Sequence, residues 1–326
     1  MHITRKPMDG TQASRGAGAL PRLVSGAAEM PLASIVSRNL RNSFDAATST
    51  FWSRMCPEDG RGCFTLPMLR EMHLLGGTLR SLHKARSLAG ESAPFYFVSA
   101  SSIPGTYNLG GDLTLFADHI RTGDRQMVGT YAHACIDVVY QNARSFDLPM
   151  VSIALIEGDA LGGGLECALS HDVIVAERDA KVGFPEAMFN LFPGMGAYSF
   201  LSRRIGRAAA ERLITSGKTY SAEEAFADGV VDVLAEPGQG VAETECYIRA
   251  ASRRFNMRCA VFDARRRVEQ VSEAELRDVV EIWADAAMRL TPADLRMMDR
   301  LASAQRRRFA SEGFAPTTAI SSVAGG

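Results

Sequence analysis

Hydrophobic and polar positions along the chain follow two periods. Short runs rich in β-branched and aromatic residues have the length and content of strands: TSTFWSRM (48–55), PFYFVSA (94–100), MVSIALIEG (150–158), DVIVAE (172–177) and VVDVLA (230–235). Between them lie longer stretches with apolar residues every three or four positions, such as LPMLREMHLLGGTLRSLHKARSL (66–88) and DRQMVGTYAHACIDVVYQNARSF (124–146), the spacing of amphipathic helices. Alternation of the two implies crossover connections and an α/β fold. From about Val241 the strand-like runs stop and the pattern is helical, with Ser272 or Thr291 as N-caps and Pro292 in a first turn. The chain therefore divides into an N-terminal extension (1–44), an α/β core (45–240), a C-terminal helical region (241–312) and a tail (313–326). Both ends are rich in small residues, lack a sustained period and read as flexible.

Composition narrows the class. With 326 residues, 46% of them hydrophobic, the chain can bury a substantial core. A net charge of -1 provides no overall field toward nucleic acid or an anionic membrane. No run of apolar residues is long enough to span a bilayer, and the early stretch LPRLVSGAAEMPLASIV is interrupted by Arg22, Glu29 and Pro31, so a cytoplasmic protein is expected. Cysteines 56, 63, 135, 167, 246 and 259 form no C-x-x-C pair and the histidines are scattered, so neither a metal nor another cofactor is expected.

Candidate chemistry sits in three places. In VSIALIEGDALGGGLECALSHDVIVAE, glycines 162–164 precede Glu166 between a strand and a helix, and a helix N-terminus offers free N–H groups. By itself such a loop reads equally as close helix-on-strand packing. In SIPGTYNLGGDLTLF, Gly110 and Gly111 make a second such turn, with Asp112 more simply an N-terminal helix carboxylate. Two turns of this kind can supply two N–H donors to one carbonyl oxygen. In KVGFPEAMFNLFPGMGAYSF, Glu186 follows Glu166 by twenty positions, and neither has Lys or Arg within four residues. Paired carboxylates in apolar surroundings suit acid and base work, although two exposed helix-end glutamates fit the spacing as well. His133 and His171 lie in helical contexts where packing or capping is the simpler role.

The ordered segments GGDL, IEGDALGGGLECALSHDVIVAE, VGFPEAMFNLFPGMGAYSFLSRRIG and ITSGKTYSAEEAFADGVVDVLAE resemble the crotonase, or enoyl-CoA hydratase/isomerase, superfamily over roughly residues 95–235. That resemblance implies a spiral of ββα units with a C-terminal helical region, commonly assembled as trimers. It implies an oxyanion hole from the N–H of Gly111 or Gly110 and of Gly163, with Glu166 and Glu186 as the catalytic pair.

YNLGGDLTLF, FNLFPGMGAYSF, EIWADAAM and LRMMDRLASAQRRR resemble one branch, the RpfF-type diffusible signal factor synthases, over roughly residues 49–309. The acidic-Gly-aromatic segment with which ordinary hydratases of the family cover CoA has no counterpart here. The branch implies a bifunctional enzyme. It would dehydrate a 3-hydroxyacyl chain on acyl carrier protein to a cis-2-enoyl thioester and release the free fatty acid as a quorum-sensing signal, with Glu186 taking the C2 proton and Glu166 protonating the leaving hydroxyl. Trp283, Leu301 and Met195 are candidates for the acyl pocket, Trp283 reading equally as a core residue, and Arg306, Arg307 and Arg308 could meet an acidic carrier or read as a solvated helix end. A conventional enoyl-CoA hydratase or isomerase acting on acyl-CoA, and a regulatory partner of a sensor kinase, are the competing readings.

Overall fold

The computed structural model of the chain describes residues 37–91, 93 and 95–311. A hairpin of β1 (Leu40–Asp45) and β2 (Thr50–Met55) leads into helix α1 (Leu66–Leu88). Three units then repeat one plan, a strand in each of two sheets followed by helix. They are β3 (Tyr96–Ser101), β4 (Thr106–Asn108), α2 (Leu113–Arg121) and α3 (Arg125–Ala143); β5 (Val151–Ile156), β6 (Asp159–Leu161) and α4 (Gly163–Leu169); and β7 (Val173–Glu177), β8 (Lys181–Gly183), a 3-10 turn at Pro185–Phe189, α5 (Ala197–Ile205) and α6 (Arg207–Ser216). After β9 (Thr219–Ser221), α7 (Ala222–Ala227) and β10 (Val233–Ala235) come four helices, α8 (Gly240–Ser252), α9 (Phe255–Val268), α10 (Glu273–Ala287) and α11 (Pro292–Ser311). This is the ββα spiral with helical C-terminal region that the sequence resemblance implies.

The larger sheet runs β1-β2-β3-β5-β7-β10 and is parallel from β2 onward; the smaller runs β4-β6-β8-β9, with only its last pair antiparallel. Every residue of β3, β5 and β7 is buried, because both faces of the sheet are covered, and their sequences are accordingly near-continuous apolar runs. Phe97, Ala154, Ile156 and Ile174 face the main core with α1 and α3, while Val98, Ile153 and Val175 face Ile248 and Ala251 of α8. Burying each such large aliphatic side chain contributes about 1.5–3 kcal/mol, which fixes the position of every loop leaving the sheet.

Helix ends follow the side chains that cap them. Thr65 accepts the Met68 N–H at the start of α1, Asp112 that of Leu115 in α2, Asp124 that of Met127 in α3 and Ser272 that of Glu275 in α10. Thr291 and Asp294 bond reciprocally at the start of α11.

One expected boundary moves. Leu40–Asp45 is paired along its length with β2, so the limit expected between residues 44 and 45 falls inside the first hairpin. The sequence LRNSFD is mostly polar because this edge strand has only Leu40 fully buried, so it carries almost no period-two signal. Residues 1–36 of the expected extension, and the expected tail 313–326, lie outside the described residues.

Candidate active site

The site is built where β4 and β6 end, beside the 3-10 turn that follows β8. The short strand β4 runs into the Gly110–Gly111 turn, and its parallel neighbour β6 runs into Gly162 and α4. Parallel pairing therefore delivers two glycine turns to the same edge of the smaller sheet. A β-carbon on Gly163 would lie 3.3 Å from Gly110 Cα and 3.6 Å from the Gly111 nitrogen. Gly163 is the first residue of α4, where an N–H has no intrahelical acceptor. In the other turn, the Gly110 N–H is already given to Asn108 Oδ1 at 2.8 Å, so Gly111 supplies the available donor. Of the two glycines that the sequence leaves open for that role, Gly110 serves as the hinge, at φ 90°.

Both glutamates come to this place. Glu166, three residues into α4, is fully buried, and its Oε1 accepts the N–H of Met195 at 2.7 Å and of Ala197 at 2.9 Å, at the start of α5. Its Oε2 is buried with no hydrogen-bond partner among the described residues. Glu186, in the 3-10 turn, lies against the glycine loop: a β-carbon on Gly162, which has φ 53°, would collide with Glu186 Oε1. The residue is half-buried, but its Oε2 is shielded and equally unpartnered.

The electrostatics are unlike those of an ordinary buried acid. Buried Asp172 is held by Arg265 at 3.0 Å and Arg266 at 2.6 Å, with Ser145 and Ser152 hydroxyls on Oδ2. Among the described residues, neither Glu166 nor Glu186 is paired with a cation. Desolvation pushes Glu166 up to about 7, resisted by the two backbone N–H donors. Desolvation, then the Glu166 charge, push Glu186 up to about 8. Near neutral pH the pair tends to share one proton, held more by Glu186, the glutamate with fewer donors.

A small apolar cavity adjoins the turns. It holds about 10 Å³, the room of a single water, and is lined by Phe64, Leu69, Cys135, Val138, Val139, Cys167 and Met195 together with Gly111 and Gly163. Met195 gives its N–H to Glu166 and lines the cavity. Trp283 and Leu301 are not in that lining. Trp283 is 3% exposed, packs edge-to-face on Phe116 at 5.2 Å and closes against Gly194; Leu301 is partly buried on the main core. The linings from α1 and α3 were not legible in the sequence, since periodicity gives the buried face of a helix but not what that face meets.

The other singled-out residues lie elsewhere. Asp112 caps α2 and pairs with Arg61 at 2.8 Å. His133 bridges α3 and α10 through Glu281 at 2.5 Å and Arg277 at 3.1 Å. His171 is lowered to about 4 by burial, and its Nδ1 donates to the Cys167 carbonyl at 2.9 Å. It borders a separate polar cavity of about 820 Å³, also lined by Arg144, Asp172 and Arg265, that contains neither glutamate. Arg306 bonds Thr114 at 2.8 Å on the outside of α11. Among the described residues no group of His, Cys, Asp and Glu is placed to hold a metal, and no helix is long and apolar enough to cross a membrane.

Residues 102–260 match the enoyl-CoA hydratase/isomerase family model. The chain is similar to the fatty acid oxidation complex subunit alpha of Pseudomonas aeruginosa PAO1, 34% identical over 162 residues, and to that of Pseudomonas syringae pv. tomato, 34% over 160 residues. Those alignments cover 50% and 49% of this chain but only 22% of each relative. Among solved structures it is similar in fold to human mitochondrial delta3-delta2-enoyl-CoA isomerase, with TM-score 0.64 and 17% identity over 83% of this chain and 99% of that one. It is also similar to Bacillus halodurans enoyl-CoA hydratase, with TM-score 0.60 and 20% identity over 84% and 99%. A third is Pseudomonas aeruginosa DspI, with TM-score 0.55 and 23% identity over 84% and 95%. The chain has a crotonase-type fold, and its residues 102–260 are similar to the enoyl-CoA hydratase/isomerase family.

Proposed function

We propose that the chain is an acyl-thioester enzyme that dehydrates a 3-hydroxyacyl chain on acyl carrier protein to a cis-2-enoyl thioester and then hydrolyses it to the free acid. The observation that carries the chemistry is the meeting of two backbone donors, Gly111 and Gly163, with two carboxyls, Glu166 buried and Glu186 half-buried, each with a shielded Oε2 that has no partner among the described residues. The donors hold the thioester oxygen as negative charge develops on it. In dehydration one carboxylate takes the C2 proton, giving an enolate held by the two N–H groups. As the enolate collapses, the C3 hydroxyl leaves as water with the proton of the other carboxyl. A dyad with one proton has one member in each state, and Glu186 is our choice for the base, which requires the proton to rest on Glu166 when C2 is deprotonated. In hydrolysis the more acidic Glu166 activates water, the same donors hold the tetrahedral oxyanion, and the thiol leaves with a proton from Glu186. The apolar cavity, one water in size, would take the start of the acyl chain once its lining side chains move aside.

What supports the finer reading is the resemblance of YNLGGDLTLF and LRMMDRLASAQRRR to the signal-synthase branch, together with the basic α11 that reaches the glycine turn through Gln305 and the Leu109 carbonyl at 3.3 Å. The similarity to the alpha subunits of fatty acid oxidation complexes favours a second reading, a conventional enoyl-CoA hydratase or isomerase. The two differ in whether a thiol is released. Purified protein is given 3-hydroxyacyl carrier protein and, separately, the CoA thioester, with thiol titration and mass spectrometry of products. Free 2-enoic acid with stoichiometric carrier thiol, faster than from CoA, is the expected result. Enoyl thioester without thiol release, fastest on CoA, would mean the second reading.

A further inference from the structure

Beside the glycines and glutamates stands a buried polar side chain to which the chemistry gives no part. Asn108 is 2% exposed and ends β4, two residues before Gly110. Its Oδ1 accepts the Gly110 N–H at 2.8 Å, an Asx-type turn, and that donor fixes which end of the amide is oxygen. Its Nδ2 faces Met55 Sδ at 3.6 Å. Its backbone carbonyl lies against Gly164, where a β-carbon would collide with it. One residue thus touches both turns, holding Gly110 with its side chain and abutting the segment of Gly163 with its main chain.

Peptide planarity makes this contact consequential. The Leu109–Gly110 plane is held at both ends, its carbonyl by Gln305 at 3.3 Å and its N–H by Asn108. The next plane has the Gly110 carbonyl and the Gly111 N–H pointing in opposite directions, as in any trans peptide. Its carbonyl accepts the Phe64 N–H at 2.8 Å, which aims the Gly111 N–H the other way. Glycine at residues 110 and 111 leaves the backbone free to rotate, so neither plane would hold its direction unaided. Removing the Asn108 acceptor leaves the first plane held by Gln305 alone and the second by Phe64 alone, so the glycine turn can shift and carry the Gly111 N–H with it.

We propose that Asn108 is the positioning residue of the oxyanion hole, tying back the Gly110 N–H so that the Gly111 N–H faces the thioester oxygen. The proposal rests on the assignment of Gly111 and Gly163 as the oxygen-binding donors. It is tested with a cinnamoyl thioester carrying a conjugated donor group, whose absorption moves to the red when its carbonyl is polarised, and with turnover of the 3-hydroxyacyl thioester. In Asn108→Leu, similar in size but with no acceptor, we expect the red shift largely lost and kcat lower by about ten- to a hundredfold, with KM changed much less. Loss of an oxyanion donor itself costs about 10²–10³. Asn108→Ser, whose hydroxyl can accept from the N–H two residues on, restores part of both, and it carries the test if the Leu variant does not fold. A full red shift and wild-type kcat in a folded Asn108→Leu protein, or a Ser variant no better than Asn108→Ala, would overturn the proposal. Absence of a red shift in the wild-type protein would instead overturn the assignment of the hole on which it rests.

Discussion

Glu166 and Glu186 lie close enough for the charge of one to raise the other, yet only Glu166 is supplied with outside donors, the N–H groups of Met195 and Ala197 on a single oxygen. Glu186 has no more than its own backbone N–H. Two acids of the same type are thereby made unequal by where two turns happen to begin, and several measurable properties follow from that inequality.

Activity should be bell-shaped in pH. Whichever carboxyl acts as base, turnover needs the pair singly protonated, so kcat/KM rises through the lower apparent value, near 7, and falls through the upper, near 8. Glu166→Gln or Glu186→Gln should lower the rate by about 10²–10⁴. A flat profile between about pH 5 and pH 10 with a chemical step shown to be rate-limiting would remove the pair from the mechanism.

Stability should fall as pH rises from about 4.5 to about 8. A carboxyl raised in the folded state keeps its proton there after the unfolded chain, near 4.5, has lost it, so the native state binds more protons and is weakened as pH climbs. The contribution is complete below the unfolded value and gone above about 8, amounting to a few kcal/mol in order of magnitude. Urea unfolding at acidic and alkaline pH measures it. The double variant Glu166→Gln with Glu186→Gln should flatten the slope, and an unchanged slope would assign it to other groups.

Gly110→Ala should separate fold from function. Its β-carbon would stand 2.8 Å from the Gly163 nitrogen in a conformation at φ 90° that L-residues rarely adopt. The turn must move, taking the Gly111 donor with it, and we expect kcat lower by about 10²–10³ with the chain still cooperatively folded. Kinetics beside a thermal melt give the answer, and a variant with native turnover would show that the turn tolerates displacement.

The apolar cavity predicts a change in chain selection. Val139→Phe fills space beside Gly111 and Gly163, so the preferred acyl chain should shorten, each excluded methylene being worth about 0.8 kcal/mol. Trp283→Ala, by contrast, empties a site in the main core against Phe116 and Gly194 and should cost about 3–5 kcal/mol of stability. Product profiles and denaturation curves distinguish the two, and a stable Trp283→Ala protein with broadened products would return this residue to the pocket.

The sequence by itself determined the strands of the larger sheet from β2 to β10, because β3, β5 and β7 are buried on both faces and their apolar runs need no partner to be recognised. It determined the helices through spacing and caps, and it marked Glu166 and Glu186 by the lack of nearby cations in apolar surroundings. It missed β1, whose polar edge carries no pattern, and the three-residue strands β6, β8 and β9, which are too short to show a period. Only the tertiary structure decided which glycine of the turn keeps a free N–H, since that depends on Asn108 taking the Gly110 N–H. Only it decided that Leu69 of α1 and Val138 and Val139 of α3, not Trp283 or Leu301, line the cavity beside the donors. The physical reason is the same in both cases: periodicity reports whether a residue is buried, whereas the direction of an N–H and the neighbour across a cavity are set by segments far apart in the chain that the parallel sheets bring together.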